Sequence, residues 1–352
     1  MSFSADVLSY DDMDKPTHYL PARYYALLCA RLSEWGVDVA SLLRDAQIKP
    51  EVLQAADGQL TPDQVDALVS LAGQRSQRTD LGFELGRQIK LSSHDILGYA
   101  MLSAPTLDAA LRLVARYFSL ITPTYVMQYR SDAHHAEATI QPALPLSAQV
   151  LTFHQETIAV AYYETIKALL SKDPPACSIY LSIDPPPHAA RYRELSNATV
   201  HFSQTALPGA RIVLEKATVD LPLAMADQNT VKMAEAQCAE LLRNIVNRSS
   251  LSDWTHMMLR EAAHGQPTLD ELASILNLSP RTLERRLSLQ GASFRDIARK
   301  ARHESACALL KTGHLNITQI AYQLGYSDAA NFTRAFRRES GMAPNEYRRN
   351  RC

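Results

Sequence analysis

The feature that most constrains this chain is a pattern written twice near its C-terminus. Residues 268–290 read TLDELASILNLSPRTLERRLSLQ, and residues 316–340 read NITQIAYQLGYSDAANFTRAFRRES. Each copy predicts a short amphipathic helix, a tight turn and a second helix. Thr268 with Glu271, and Asn316 with Gln319, have the three-residue spacing of a reciprocal cap. Ser279 is the expected N-cap of the second helix in the first copy, with Pro280 at its first position, and Ser327 is the expected N-cap in the other. Ala273 matches Ala321 and Ser279 matches Ser327 at an offset of 48; after one inserted residue, Leu283 matches Phe332 and Leu287 matches Phe336. A solvated basic helix explains one such pair equally well. It does not explain a duplicated pair with matched caps and turns.

If Leu283, Leu287, Phe332 and Phe336 hold the second helices inward, the opposite faces present a defined set. In the first copy these are Arg281, Thr282, Glu284, Arg285 and Ser288; in the second they are Ala330, Asn331, Thr333, Arg334 and Arg337. Such a helix fits the DNA major groove: arginine pairs with guanine or phosphate, asparagine with adenine, and the N-cap aims backbone amides at phosphate. Two helices on one unit can enter successive major grooves, about 34 Å apart. The charge supports this direction. Residues 251–352 hold 15 Lys/Arg against 10 Asp/Glu, whereas residues 1–250 hold 21 against 27, although the whole chain has a net charge of only −1.

The segment 252–350 resembles the DNA-binding domain of AraC/XylS transcriptional regulators over its whole length. The match runs through GASF (291–294), RHESACALL (302–310) and ITQIAYQLGYSDAANFTRAFRRESGMAPNEYR (317–348). The resemblance implies two helix-turn-helix units joined by a long helix over about 294–312, double-stranded promoter DNA as partner, and control of transcription through RNA polymerase, with activation favoured. By position, the first recognition helix then supplies Arg281, Glu284 and Arg285, and the second Ala329, Ala330, Asn331, Thr333 and Arg334; Ser279, Thr282, Ser327 and Arg337 complete the expected DNA-binding set from the reading of the helix faces and caps. Ala329-Ala330 departs from more polar family members and offers only methyl contacts, for instance to thymine, which moves base reading onto Asn331 and Arg334. Glu284 has two open readings: it accepts from cytosine, or it pairs with Arg281 or Arg285.

The preceding sequence predicts an α+β regulatory domain over 21–225, helices first and strands later. Thr61-Pro62-Asp63 and Ala104-Pro105-Thr106 read as helix starts, while Gly82, Gly86 and Gly98 punctuate the helical part. TYVMQY (124–129) and AEATIQ (136–141) alternate like a hairpin, 148–171 returns to helix, and CSIYLSI (177–183), ATVHF (198–202) and ARIVLE (210–215) read as strands. Residues 1–20 are expected to be loose, and 226–250 a linker containing one helix over 227–248, leaving 251–352 as the all-α DNA-binding domain. LGFELG, HDILGYAMLSAPTLDAALRLVARYFSL and the strand pair are similar to the arabinose-binding-type regulatory domain of one branch of the same family. That resemblance implies a small organic effector, without implying arabinose; a homodimer formed through the N-terminal domain, aided by the helix over 227–248, is expected beside it.

Tyr117, Tyr125 and Tyr162 are candidate effector contacts as part of an aromatic set with Phe118 and Tyr163; Arg112 and Arg116, one helical turn apart, are candidates for an effector carboxylate. His94, His134, His135, His154 and His201 have no metal-ligand spacing, and no G-x-S-x-G, P-loop or dinucleotide fingerprint occurs. No catalytic residue, cofactor or metal is therefore assigned, and the chain is not expected to be an enzyme. An enzymatic N-terminal domain carrying DNA binding for location is one alternative. A regulator governed by a protein partner or by its own abundance is another. Cys29, Cys177, Cys238, Cys307 and Cys352 are scattered and odd in number, the N-terminus is acidic, and no apolar run reaches the ~18 residues of a membrane span. The expected location is the cytoplasm, away from any membrane.

Overall fold

The computed structural model describes residues 20–55, 57–172, 176–205, 207–244, 251–262, 266–276, 278–312 and 315–351. The loose segment expected over 1–20 lies almost wholly outside them, as does the end of the helix expected over 227–248.

Helices dominate the first hundred residues. A two-residue pairing of β1 (Leu20–Pro21) with β2 (Gln59–Leu60) brackets α1 (Ala22–Glu34), α2 (Val39–Asp45) and α3 (Pro50–Gln54). Then follow α4 (Pro62–Ser76), α5 (Leu81–Gln88), α6 (Asp95–Leu102) and α7 (Leu107–Ile121). Thr61 and Gln64 form the reciprocal cap of α4 with Pro62 in its first turn, and the Thr106 side chain accepts from the Ala109 amide to start α7.

The strands come next: β3 (Tyr125–Ser131), β4 (His135–Pro142), β5 (Cys177–Leu181), β6 (Ala198–Phe202) and β7 (Ala210–Glu215), with the long α8 (Ala148–Leu170) between β4 and β5. They form one sheet in the order β3-β4-β7-β5-β6, antiparallel except for the parallel pair β5–β6. At the hairpin turn, Asp132 Oδ1 accepts from the amides of His134 and His135. Both rings stay exposed there.

Gly82 and Gly86 are not breaks. They lie inside α5, where a Cβ at Gly82 would sit 2.5 Å from the Phe153 carbonyl oxygen and one at Gly86 2.6 Å from Val160 Cβ. Their missing side chains let α5 lie directly on α8, a packing role that the pattern of glycines did not reveal.

After α9 (Lys216–Val219), α10 (Gln228–Asn244) packs along α6 and α7. The C-terminal part is all helix: α11 (Leu251–Arg260), α12 (Leu269–Ile275), α13 (Pro280–Leu289), α14 (Phe294–Thr312), α15 (Ile317–Gln323), α16 (Ala329–Ser340) and α17 (Pro344–Arg351). The long α14 joins two units, the first packed into a core continuous with the N-terminal part and the second with a small core of its own. Ile297, Ala298 and Ala301 face the first unit; Ala306 and Leu310 pack with Ile320, Phe332, Phe336 and Tyr347 in the second. No helix among the described residues is long and apolar enough to cross a membrane.

Candidate nucleic-acid interface and effector cavity

The duplicated motif folds as two units of nearly the same local geometry. Thr268/Glu271 and Asn316/Gln319 each close a reciprocal cap at the start of α12 and α15. Both of these helices end on a leucine, Leu276 or Leu324, with φ −87°. In the turns that follow, the Leu278 amide donates to the Ala273 carbonyl and the Tyr326 amide to the Ala321 carbonyl, each at 2.9 Å. Gly325 takes φ +77° in the second turn, a conformation that a side chain resists. Leu283, Leu287, Phe332 and Phe336 are fully buried, which fixes the faces that α13 and α16 turn outward.

Those faces carry exposed guanidinium groups. Arg281 and Arg285 on α13, and Arg334 and Arg337 on α16, are all exposed, and no ion pair engages any of them among the described residues. Ser279 caps α13 by accepting from the Thr282 amide at 3.2 Å, and the two hydroxyls lie 2.8 Å apart. Glu284 is half-buried with Oε2 unpartnered, and it forms no ion pair with Arg281 or Arg285 among the described residues. That leaves the acceptor role open to it and removes the pairing alternative.

The expected cap at Ser327 is corrected. Asp328 is the N-cap of α16, and its Oδ1 accepts from the Asn331 amide at 2.6 Å. The extra residue of the second copy therefore falls before the cap rather than after it, so that Asp328 and not Ser327 stands where Ser279 stands. A carboxylate makes the stronger charge-assisted cap at the positive end of a helix, and the amide bond it accepts holds the Asp328 carboxyl below its usual range. Ser327 instead accepts from Asn331 Nδ2 at 2.9 Å, while Asn331 Nδ2 also reaches Asp328 and its Oδ1 accepts from Arg334 at 2.5 Å. Asn331 is thus held within its own helix end, and Thr333 donates back to the Ala329 carbonyl at 2.7 Å. Ala329 packs partly into the second core, leaving Ala330 as the exposed methyl of the pair.

A second feature lies in the N-terminal part: a cavity of about 110 Å³ between α1, α5, α6, α7, β3 and α8. Its walls are mostly aliphatic and aromatic, and no Asp, Glu, Lys or Arg lines it. Two histidines do, and both are neutral. Burial pushes His154 down to about 3 and His94 down to about 4. His154 Nε2 shares a 2.7 Å hydrogen bond with the Tyr25 hydroxyl, and His94 Nδ1 one of 3.0 Å with the Tyr24 hydroxyl. Three further polar atoms on lining residues have no partner: the hydroxyls of Tyr125 and Tyr162, and His154 Nδ1.

Tyr125 and Tyr162 thus line this cavity together with Phe118, whereas Arg112, Arg116 and Tyr117 do not. Arg112 is exposed and held by Asp108 in the preceding turn, Arg116 is exposed and paired with Glu235 of α10, and Tyr117 also turns towards Glu235. The two arginines face outward because α7 buries its other side, a matter of helix phase that their spacing alone left open. Tyr24, Tyr25, His94 and His154 also line the cavity without having been expected as effector contacts, since a lone histidine or tyrosine on a buried segment has no local signature. No group of three or more His, Cys, Asp or Glu side chains able to hold a metal occurs among the described residues.

The two parts meet at the sheet. Trp254 of α11 is fully buried and donates from Nε1 to the Pro142 carbonyl at 2.7 Å. Pro142 is the cross-strand partner of Tyr125 in the β3–β4 register. Nearby, the Leu146 amide meets Met257 Sδ at 3.1 Å and Gln128 Nε2 donates to the Ser274 carbonyl at 2.7 Å.

A family model described as the N-terminal arabinose-binding domain of AraC transcription regulators matches residues 36–223, and a helix-turn-helix domain model matches residues 272–350. The ornithine utilization regulator of Pseudomonas aeruginosa is 30% identical over 94% of this chain and 96% of its own length. The regulator VirS of Mycobacterium tuberculosis is 24% identical over 90% of this chain and 92% of its own. Among solved structures, the transcriptional regulator CdpR of Pseudomonas aeruginosa aligns over 88% of this chain and 96% of its own at 22% identity, with a TM-score of 0.43.

Proposed function

This chain belongs to the AraC family of helix-turn-helix transcriptional regulators, and from that premise we propose that it binds double-stranded promoter DNA through α13 and α16 and answers to a small organic effector held in the N-terminal cavity. The observation that carries the DNA reading is the pair of capped helices with exposed arginines on one face and buried Leu283/Leu287 or Phe332/Phe336 on the other. In this reading Arg281, Arg285, Arg334 and Arg337 contact phosphates or guanine edges, and Thr282, Glu284 and Thr333 contact neighbouring bases. Asn331 trades its bonds to Ser327 and Asp328 for an adenine. The first unit reads more and the second grips more, because Asn331 and Thr333 are already hydrogen-bonded within α16.

The effector part rests on the cavity and on its proximity to the DNA-binding helices. Tyr125 lies in its wall, and the residue opposite Tyr125 holds Trp254. An occupant that moves β3 therefore moves the seat of α11, so that binding inside the cavity biases the posture of the helix-turn-helix units. We further assign the chain to the cytoplasm as a homodimer that activates RNA polymerase at its promoters. Cys29, Cys177, Cys238 and Cys307 are free thiols, in keeping with a reducing compartment.

The test is fluorescence anisotropy on a promoter fragment from upstream of the chain's own gene. Arg285→Ala/Arg334→Ala should lose about 1–3 kcal/mol for each good base contact, tenfold or more in affinity, together with a shallower salt dependence. Equal binding by both proteins at every salt concentration sinks the DNA assignment.

A further inference from the structure

The name of the matching regulatory domain points to a sugar, and that of the ornithine utilization regulator to an amino acid. The cavity has the chemistry of neither. Resting on the reading of this cavity as the effector site, we propose that the effector is a compact, uncharged, largely apolar molecule carrying one hydrogen-bond acceptor, of the class of an aromatic or alicyclic ketone, aldehyde or lactone.

Three observations support this. First, no charged side chain lines the cavity, so a carboxylate or ammonium group would enter without a counter-ion, at a cost no other contact there offsets. Arg23, adjacent in sequence to the lining Tyr24, is not among the lining residues. Its guanidinium pairs with Asp95 at 3.3 Å and donates to the Leu120 carbonyl at 3.0 Å. The two imidazoles are held neutral by burial and supply no positive charge either.

Second, the unmet hydrogen-bonding capacity is small and localised. The Tyr125 and His154 rings meet edge to face with centroids 5.5 Å apart, and the Tyr125 hydroxyl and His154 Nδ1 both lack partners. The Tyr25 hydroxyl is bonded to the other nitrogen of the same imidazole. Tyr125, 2% exposed, is a buried phenol with a proton to donate and nothing to receive it. One acceptor oxygen satisfies it. Tyr162, 8% exposed, has the other hydroxyl that is fully buried and unpartnered among the described lining residues. A pentose would bring four hydroxyls into walls that are otherwise aliphatic and aromatic, and most would be buried unbonded.

Third, the size is that of a single ring. The cavity holds about 110 Å³, comparable with the ~150 Å³ apolar cavity that accepts benzene.

The experiment measures thermal stabilisation and calorimetric affinity of the full chain with acetophenone, ethylbenzene, benzoate, L-arabinose and L-ornithine. Acetophenone should raise the melting temperature in a saturable way, and benzoate, L-arabinose and L-ornithine should not. In Tyr125→Phe, which keeps the ring and loses only the hydroxyl, affinity for acetophenone should fall about fivefold while that for ethylbenzene is unchanged. Stabilisation by benzoate, L-ornithine or L-arabinose in place of acetophenone overturns the neutral-ligand inference but leaves the effector cavity standing. Stabilisation by none of the five overturns both. An equal loss for both aromatic probes in Tyr125→Phe overturns the assignment of that hydroxyl as the donor. If the variant does not fold, the contrast between acetophenone and benzoate in the unaltered protein still decides.

Discussion

The N-terminal cavity and the outward faces of α13 and α16 leave different groups without partners. In the N-terminal part many arginines are engaged: Arg31, Arg78 and Arg191 converge on Asp80 and Glu84, while Arg112 and Arg116 hold carboxylates of their own. What remains unmet on the residues lining the cavity is neutral and buried: the hydroxyls of Tyr125 and Tyr162 and one nitrogen of His154. On the outward faces of α13 and α16 the unmet groups are charged and exposed. The exposed guanidinium groups of Arg281, Arg285 and Arg337 meet no carboxylate among the described residues, and the interior is closed over Leu283, Leu287, Phe332 and Phe336. A ligand goes where capacity is unmet. One half therefore suits a neutral guest out of water, and the other a polyanion at the surface.

The largest expected effect separates the halves outright. Phe332→Ala removes a fully buried ring from the small second core and should cost about 3–5 kcal/mol there. DNA affinity should fall to the non-specific level while stabilisation by a cavity ligand persists. Loss of both, read by anisotropy and thermal shift, would mean that the halves are not separable.

A smaller effect comes from acid. His154 and His94 have folded-state values near 3 and 4, below the ~6.5 of an unfolded chain, so the unfolded state takes up protons first as pH falls. The stability they contribute is complete above about pH 6.5 and is lost on the way down towards those values, about 2 kcal/mol for each ring at pH 5. Denaturant melts at pH 7 and pH 5 measure the loss, and NMR should find neither ring titrating above pH 5. A ring that does titrate there is not sealed in the cavity.

Next is the joint between the halves. Trp254→Phe keeps an aromatic ring but leaves a small void and the Pro142 carbonyl without its donor, at a combined cost of about 2 kcal/mol. The change in DNA affinity caused by a cavity ligand should shrink about fivefold, with ligand affinity in the absence of DNA little altered. An unchanged response would place the coupling elsewhere.

The smallest effect has the opposite sign. Tyr125→Phe deletes an unpartnered buried hydroxyl, so the ligand-free protein should gain up to about 1 kcal/mol and melt slightly higher. Destabilisation would mean that the hydroxyl has a partner when the cavity is empty of ligand.

Most of what was legible in the sequence concerns the C-terminal half. A reciprocal cap and a proline in the first turn act over three or four residues, so Thr268/Glu271, Asn316/Gln319 and Pro280 could be read directly from their spacing. The buried faces of α13 and α16 followed from helical period in the same way. Even the one local error, Ser327 for Asp328, was a shift of one residue between two good capping types. The β3–β4 hairpin was legible too, because alternation along a strand needs no knowledge of its neighbours.

The cavity was not. Its central hydrogen bond joins Tyr25 to His154 across 129 residues, and its outline depends on α5 lying close on α8 through Gly82 and Gly86. Arg112 and Arg116 have an inviting spacing, yet the packing of α7 turns them to solvent and to Glu235. By itself the sequence determined the two helix-turn-helix units and the residues their second helices turn outward, since short-range caps and periodicity specify them. Only the tertiary structure decided which aromatic side chains surround a common space, which polar atoms in it stay unpaired, and that the strand opposite Tyr125 holds Trp254, because those relations arise between segments that are distant in the chain and meet only on folding.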